Sequence, residues 1–297
     1  MQNVLGEEAA RGLGRLCKLP VQDAITSAPS NPGLERIEAR FAGDAYDLHR
    51  HDTYAIGVTL HGVQTFSYRG ERRHSMPGNI IVIHPDEMHD GAAGTDDGLR
   101  YRMLYLEPAL ALQSLGDRQG ALPFVNDPVI ADPALQGALA AALGNLDEEL
   151  DELLVDDVVS QLTLGLARHA RQHVRPLSAP AIRQTELARD YLEEHALRLV
   201  RSGELEAVSG LDRYALSRHF RTLYATSPHR FLLMRRLQRA REMIKTGEPL
   251  AGIAVETGFN DQSHLNRQFK KAFGMTPGRW AALIGVEPLR DLSITHP

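Results

Sequence analysis

The chain has 297 residues, one cysteine and a formal net charge of −5, a length that suits two domains, each with its own core. A single cysteine excludes an intrachain disulfide framework and fits a reducing compartment. No run approaches the roughly 20 apolar residues of a membrane helix, and Met1 to Pro20 lack an apolar core of signal-peptide length, so the chain is expected in the cytoplasm with no membrane partner.

The overall charge argues weakly against nucleic acid, but it is unevenly placed. Residues 1–180 carry a net −10 and residues 181–290 a net +6, as expected when only one half meets phosphate.

In chain order, residues 1–30 read as an N-terminal arm with a short candidate helix from Glu7 to Leu16, and they contain Cys17. After the turn cluster Pro29 to Gly33, short β segments follow: Leu34 to Phe41, Tyr54 to Leu60, Thr65 to Tyr68, Ile80 to Ile83 and Arg100 to Leu106. They are rich in β-branched and aromatic residues and are separated by turn signals, a pattern of small barrels and sandwiches. After Pro108 the pattern becomes helical. Leu139, Leu143, Leu146, Leu150 and Leu153 step by 4, 3, 4 and 3, a heptad seam that predicts a helical dimerisation segment; the alternative is a helix that merely covers the barrel. A second helix runs from about Asp156 to Arg171. The Pro-containing stretch 173–182 reads as a linker.

The basic half opens with a helix from Glu186 to Leu199, burying Leu187, Tyr191 and Leu192. It then holds one pattern twice. Leu216-Ser217-Arg218-His219-Phe220-Arg221 returns 49 residues later as Leu265-Asn266-Arg267-Gln268-Phe269-Lys270. Each copy continues to a Ser/Thr-Pro step and then Arg plus an aromatic, Arg230-Phe231 and Arg279-Trp280. Each reads as helix–turn–helix, at about 203–224 and 249–273, with Gly210 and Gly258 at the turns. Glu206 stands where the second copy has the small Ala254, so this carboxylate must turn outward or find a partner. The stretch His229 to Lys245 predicts one rigid helix between the motifs. On that helix Arg235, Arg236 and Arg239 are expected to be solvated or salt-bridged rather than base-reading.

The second copy, from Ile253-Ala254 through Gly258-Phe259, Asp261 to Leu265, Arg267 and Phe269 to Thr276-Pro277, resembles the DNA-binding domain of the AraC/XylS family of bacterial transcription regulators. The order Gly62…Tyr68-x-Gly70…Pro77-Gly78-x-Ile80…Pro85-x-x-x-His89 resembles the cupin-type effector domain in front of many such domains. The resemblance implies a two-domain α+β chain: a cupin-like β-barrel with a helical dimerisation segment over 31–172, and an all-α domain over 183–285 with seven helices and two helix–turn–helix motifs. It also favours the homodimer.

A recognition helix offers its N-terminal residues to base edges in the major groove, and Arg, Gln and Asn suit that task. The candidate DNA-binding residues are Arg213, Tyr214, Ser217, Arg218 and Arg221 in the first motif. In the second they are Gln262, Ser263, His264, Asn266, Arg267 and Lys270. Backbone N–H groups near Ser227 and Thr276 are candidate phosphate anchors.

In the first half, His49, His51 and His89 with Tyr54, Tyr101 and Arg102 are candidates for an effector pocket. Cupin enzymes hold metals with such histidines, but the carboxylate expected shortly after the second one is missing. The reading is therefore no metal and no cofactor, with the histidines hydrogen-bonded or lining the pocket. The expected function is a sequence-specific DNA-binding transcription regulator, not an enzyme, responsive to a small-molecule effector, with double-stranded DNA as partner and RNA polymerase as a further one. The alternatives are a metal-dependent cupin enzyme fused to a DNA-binding domain, or a ligand-free dimerisation module in front of one.

Overall fold

Antiparallel pairing organises the strands of the N-terminal half in the computed structural model, which describes residues 22–116, 121–170 and 176–286. The strands are β1 (Ala24–Ser27), β2 (Leu34–Phe41), β3 (Asp44–His49), β4 (Tyr54–His61), β5 (Gln64–Tyr68), β6 (Glu71–Ser75), β7 (Ile80–Ile83), β8 (His89–Ala93), β9 (Leu99–Leu106) and β10 (Val129–Ile130). They form a six-stranded sheet, β1-β2-β9-β4-β7-β10, and a four-stranded sheet, β3-β8-β5-β6. The barrel of the sequence reading is therefore two sheets, not joined by hydrogen bonds into a closed barrel. The arm's candidate helix and Cys17 lie outside the described residues.

The larger sheet is apolar on both faces. Ile37, Ala39, Ala55, Ile81, Tyr101 and Met103 face the smaller sheet. Tyr54, Ile56, Ile80, Val82, Leu104 and Leu106 face three helices: α1 (Pro108–Leu115), α2 (Pro133–Leu143) and α3 (Glu152–His169). A sheet covered on both sides reads as a near-continuous hydrophobic run, as Ile80–Ile83 does.

The leucine seam is corrected here. It is not one helix, because α2 stops at Leu143 and α3 starts at Glu152. Two arginines of the larger sheet take up the carbonyls where α2 ends. Arg36, fully buried, donates to Ala142 O at 3.0 Å, Asn145 O at 2.9 Å and Glu148 O at 2.6 Å. Arg102 donates to Leu143 O and Gly144 O. These satisfy the orphan acceptors of a helix end, and the chain wraps the sheet instead of continuing as a coil. Leu139, Leu143 and Leu146 are buried in this domain's own core and Leu150 packs against it, while Leu153 is 80% exposed.

The C-terminal half is helical: α4 (Ala179–Glu194), α5 (Ser202–Ser209), α6 (Arg213–Tyr224), α7 (Pro228–Lys245), α8 (Leu250–Glu256), α9 (Gln262–Phe273) and α10 (Pro277–Leu283). Among the described residues these are the seven helices the resemblance implied. The first of them begins earlier than the sequence suggests, because Ser178 caps it and Pro180 suits its first turn. Leu187, expected inside, is 47% exposed; Thr185, Ala188 and Leu192 are the buried residues of α4. No helix among the described residues is long and apolar enough to cross a membrane.

The two halves share an interior. The core between the sheets runs on into Met234 and Leu237 of α7, Phe269 of the second motif and Trp280 of α10, while the first motif packs with α4 and α1 in a separate cluster.

Candidate functional site

The two helix–turn–helix motifs are built by the same local devices. Gly210 and Gly258 take left-handed backbone angles at the turns, with φ of 69° and 76°, where a side chain would be strained. Asp212 caps α6 by accepting from Tyr214 N and Ala215 N at 2.9 and 3.0 Å. Asp261 caps α9 by accepting from His264 N at 2.6 Å. Apolar residues fix which face turns inward: Leu216, Phe220, Leu223 and Tyr224 on α6, and Leu265, Phe269 and Ala272 on α9.

The opposite faces carry the candidate base readers. On α6, Arg213, Tyr214, Arg218 and Arg221 are exposed and Ser217 is half-buried; on α9, Ser263, Arg267 and Lys270 are exposed and Gln262, His264 and Asn266 half-buried. The guanidinium groups of Arg218 and Arg267 make no ion pair among the described residues. Others are engaged. Arg213 donates through its backbone N and Nε to Glu206, at 2.9 and 3.1 Å, which is how the carboxylate at the helix crossing finds a partner. Arg221 donates to Ser217 Oγ at 2.6 Å. Lys270 pairs at 2.8 Å with Asp47 of the β-rich domain.

That last contact belongs to a seam between β3 and the end of α9. Asp47 N donates to Gly274 O at 2.8 Å and Arg50 N to Lys271 O at 3.2 Å. Gly274 sits so close that a Cβ there would meet His49 Nδ1 at 2.8 Å and Asp47 O at 2.9 Å. Helix α7 adds three arginine anchors. Arg230 reaches Asp86 and Arg50 O. Arg235 reaches Asp52 at 2.9 Å and Glu107 at 2.6 Å. Arg241 pairs with Glu35 and lies over the rings of Phe273 and Trp280, 5.0 and 5.1 Å from their centres. Burial works against the charge of Arg235, but Asp52 and Glu107 more than offset it, so its pKa lies above the ordinary value. Of the three arginines expected to be solvated or salt-bridged, Arg239 is exposed, Arg235 is buried in ion pairs, and Arg236 donates to the carbonyls of Ala196, Arg198 and Gly258.

In the β-rich domain the structure brings His49, His51 and His89 together and leaves two other candidates elsewhere. His49 and His89 face each other in the β3–β8 register, with ring centres 4.1 Å apart, and His51 lies 4.9 Å from His89. Each Nδ1 meets a backbone carbonyl: Asp47 O at 2.8 Å, Thr53 O at 2.9 Å and Glu87 O at 3.0 Å. Burial, then the neighbouring rings, hold His49 and His51 well below the ordinary histidine pKa, and burial brings His89 to about 4. Tyr101 joins them on the wall of a cavity of about 30 Å³, together with Tyr46, Tyr105 and Gln64.

Tyr54 and Arg102 are corrected, both by strand parity. Ala55, not Tyr54, faces the cavity; Tyr54 points into the helix-covered core and donates to Pro123 O at 2.7 Å. On β9, Tyr101, Met103 and Tyr105 face inward, so Arg102 faces out, donating to Glu38 at 2.9 Å. Tyr105 could have been found from Tyr101 by the two-residue period. Tyr46 could not, because β3 carries register shifts on both sides of it.

A second cavity, about 490 Å³, lies between the halves. Ile37, Tyr46 and Tyr105 line it from one side and Met234, Phe273 and Trp280 from the other.

A β-rich domain that encloses a cavity of about 490 Å³ against paired helix–turn–helix motifs presenting polar residues has the build of a ligand-responsive DNA-binding regulator. Comparison with known proteins agrees. Residues 31–163 match the AraC-like ligand binding domain and residues 205–282 a helix-turn-helix domain. The chain is 24% identical over 250 residues to the HTH-type transcriptional regulator YbfI of Bacillus subtilis, covering 82% of this chain and 91% of that one. It is 29% identical over 250 residues to the probable transcriptional regulator LumQ of Photobacterium leiognathi, covering 84% and 96%. Among solved structures, ToxT of Vibrio cholerae shares the fold, with a TM-score of 0.62 at 12% identity over 86% of this chain and 99% of that one. The chain belongs to the AraC family of transcription regulators, with a ligand-binding domain in front of the DNA-binding one.

Proposed function

We propose that this regulator reads its operator with both motifs, and that Arg218 and Arg267 supply the main base contacts. The observation that carries this reading is the pair of guanidinium groups, at equivalent places on α6 and α9, that make no ion pair among the described residues. An exposed arginine gains little from a surface ion pair, about 0–1 kcal/mol, but a forked contact to guanine gives about 1–3 kcal/mol of discrimination. Tyr214, 72% exposed, Arg213, Ser217 and Arg221 accompany Arg218; Gln262, Ser263, His264 and Asn266 accompany Arg267. Lys270 becomes available to phosphate only once it leaves Asp47.

The effector, in this reading, occupies the 490 Å³ cavity, where a ligand touches both domains; its volume lies within the ordinary range of small-molecule sites. The domains are proposed to span 31–172 and 183–285, with α4 reaching back to Ala179. The setting is cytoplasmic. The active species is a homodimer associating through the outer face of α3, where Leu153 and Leu164 are exposed, and RNA polymerase is its partner at the promoter.

Footprinting on the bound operator tests this reading. Two protected major-groove segments about one helical turn, roughly 10 bp, apart on one face of the duplex are expected for each chain. A single protected segment per chain contradicts reading by both motifs.

A further inference from the structure

A larger space between the halves has no part in the regulator reading. It is a cleft of about 1000 Å³. Helix α1 of the sensor forms one wall, and α4, α6 and α7 of the DNA-binding half form the others. Asp52, Glu107 and Arg235 line both this cleft and the 490 Å³ cavity, so the ion-paired anchor stands between the two spaces. Glu186, Asp190 and Glu193 line only the larger one.

The lining combines apolar surface with an excess of negative charge. Leu112, Ile182 and Leu223 give an apolar panel, joined by the rings of Tyr224 and Phe231. Asp52, Glu107, Glu186, Asp190 and Glu193 bring five carboxylates against the two arginines Arg189 and Arg235. Both arginines already lie over rings of the wall. The guanidinium carbon of Arg189 is 5.7 Å from the ring centre of Tyr224, and that of Arg235 is 4.7 Å from the ring centre of Phe231. Ring faces attract delocalised cations, so the wall already holds two groups of that class.

A second observation is independent of the exposed carboxylates. Thr226 and Asp52 belong to the same wall and are 1% and 3% exposed. Thr226 Oγ1 and Asp52 Oδ1 have no hydrogen-bond partner among the described residues. Buried polar groups are nearly always paired, and both oxygens can accept. Burial holds the Asp52 carboxyl above its ordinary pKa despite Arg235, and Glu107 adds to the shift. The anchor is thus short of positive charge on the side of the cleft.

We propose that this cleft is a second ligand site, distinct from the effector cavity, and that it takes an amphiphilic aromatic cation with delocalised charge and N–H donors. The apolar panel covers the ring system, while Glu186, Asp190 and Glu193 hold the charge. The volume lies at the upper end of the ordinary range for small-molecule sites. A ligand there touches α1 of the sensor and α6 of the first motif, whereas the effector cavity abuts Phe273 of the second. The two sites therefore tie different motifs to the sensor.

The cationic dye rhodamine 6G serves as the probe, on full-length protein at fixed salt. Fluorescence anisotropy is expected to show saturable binding at one equivalent per chain, and the anionic dye fluorescein, of similar ring build, is expected not to saturate. The triple change Glu186→Gln, Asp190→Asn and Glu193→Gln lies at exposed positions and should weaken rhodamine binding roughly 10-fold, a few-fold for each exposed charge. Hydrogen exchange on wild type, which needs no variant to fold, should slow in α1 and α4 when the dye is bound. Rhodamine binding that does not saturate, fluorescein bound as tightly, wild-type affinity in the folded triple variant, or exchange slowed only outside α1 and α4 each overturns the proposal. These readouts involve no DNA, so they stand apart from the base-reading proposal.

Discussion

Arg235 of α7 and Asp52 of the β-rich domain meet at 2.9 Å, 183 residues apart in sequence, with side chains only 9% and 3% exposed. Glu107 joins them from the far end of β9 at 2.6 Å. The helix that fixes the two DNA-binding motifs relative to each other is thereby fixed to the sensor as well.

Removing one partner of a buried pair leaves the other charge stranded, at about 3–5 kcal/mol. Arg235→Ala is expected to destabilise the chain by that amount in urea unfolding and to raise hydrogen exchange along α7. The double change Arg235→Met with Asp52→Leu should recover most of the loss, since apolar replacements of buried pairs are often neutral. A loss under about 1 kcal/mol for Arg235→Ala contradicts the anchoring role.

A second prediction concerns acid. His84 accepts from Val125 N at 2.9 Å and hydrogen-bonds Tyr68 Oη at 2.8 Å, and burial lowers its pKa to about 3. The folded chain therefore keeps His84 neutral, while the unfolded chain takes up a proton below about pH 6.5. Stability contributed by neutral His84 is fully present above pH 6.5 and falls as the pH drops towards 3. Between pH 6.5 and 5 the loss is about 2 kcal/mol. His84→Asn, measured against wild type over that window, should show a flatter decline; an equal slope removes His84 as the cause.

The leucines give a third. Leu139, Leu143 and Leu146 are core residues of one chain, so Leu143→Ala should cost about 2–5 kcal/mol without changing the sedimentation of protein that remains folded. Leu153→Asp with Leu164→Asp should leave stability nearly unchanged and yield a monomer. Dissociation by Leu143→Ala at unchanged stability would restore the leucine seam as the interface.

The sequence made the DNA-binding half readable because its determinants are local. The turn glycines, the Asp caps and the 3.6-residue apolar stripe of α6 and α9 all lie within a few residues of one another. The sensor half was readable as strands but not as a site. With the larger sheet apolar on both faces, hydrophobicity alone does not tell inward from outward, and that misplaced Tyr54 and Arg102. The heptad of leucines was real as spacing but not as a helix, because Arg36 comes from β2 to take up the carbonyls after α2. Gln64 and Tyr46 reach the histidines only through sheet topology and the irregular β3 register.

The most direct test of the central claim is binding-site selection with wild type, Arg218→Ala and Arg267→Ala at one fixed salt concentration. If both motifs read bases, each variant loses about 1–3 kcal/mol of affinity and relaxes preference at its own base pairs, about one helical turn from those of the other. The second motif should dominate specificity, since Arg213 and Ser217 of the first are engaged by Glu206 and Arg221. Uniform weakening across all sequences, with unchanged preferences in both variants, would mean that these arginines touch only phosphate and would contradict the account.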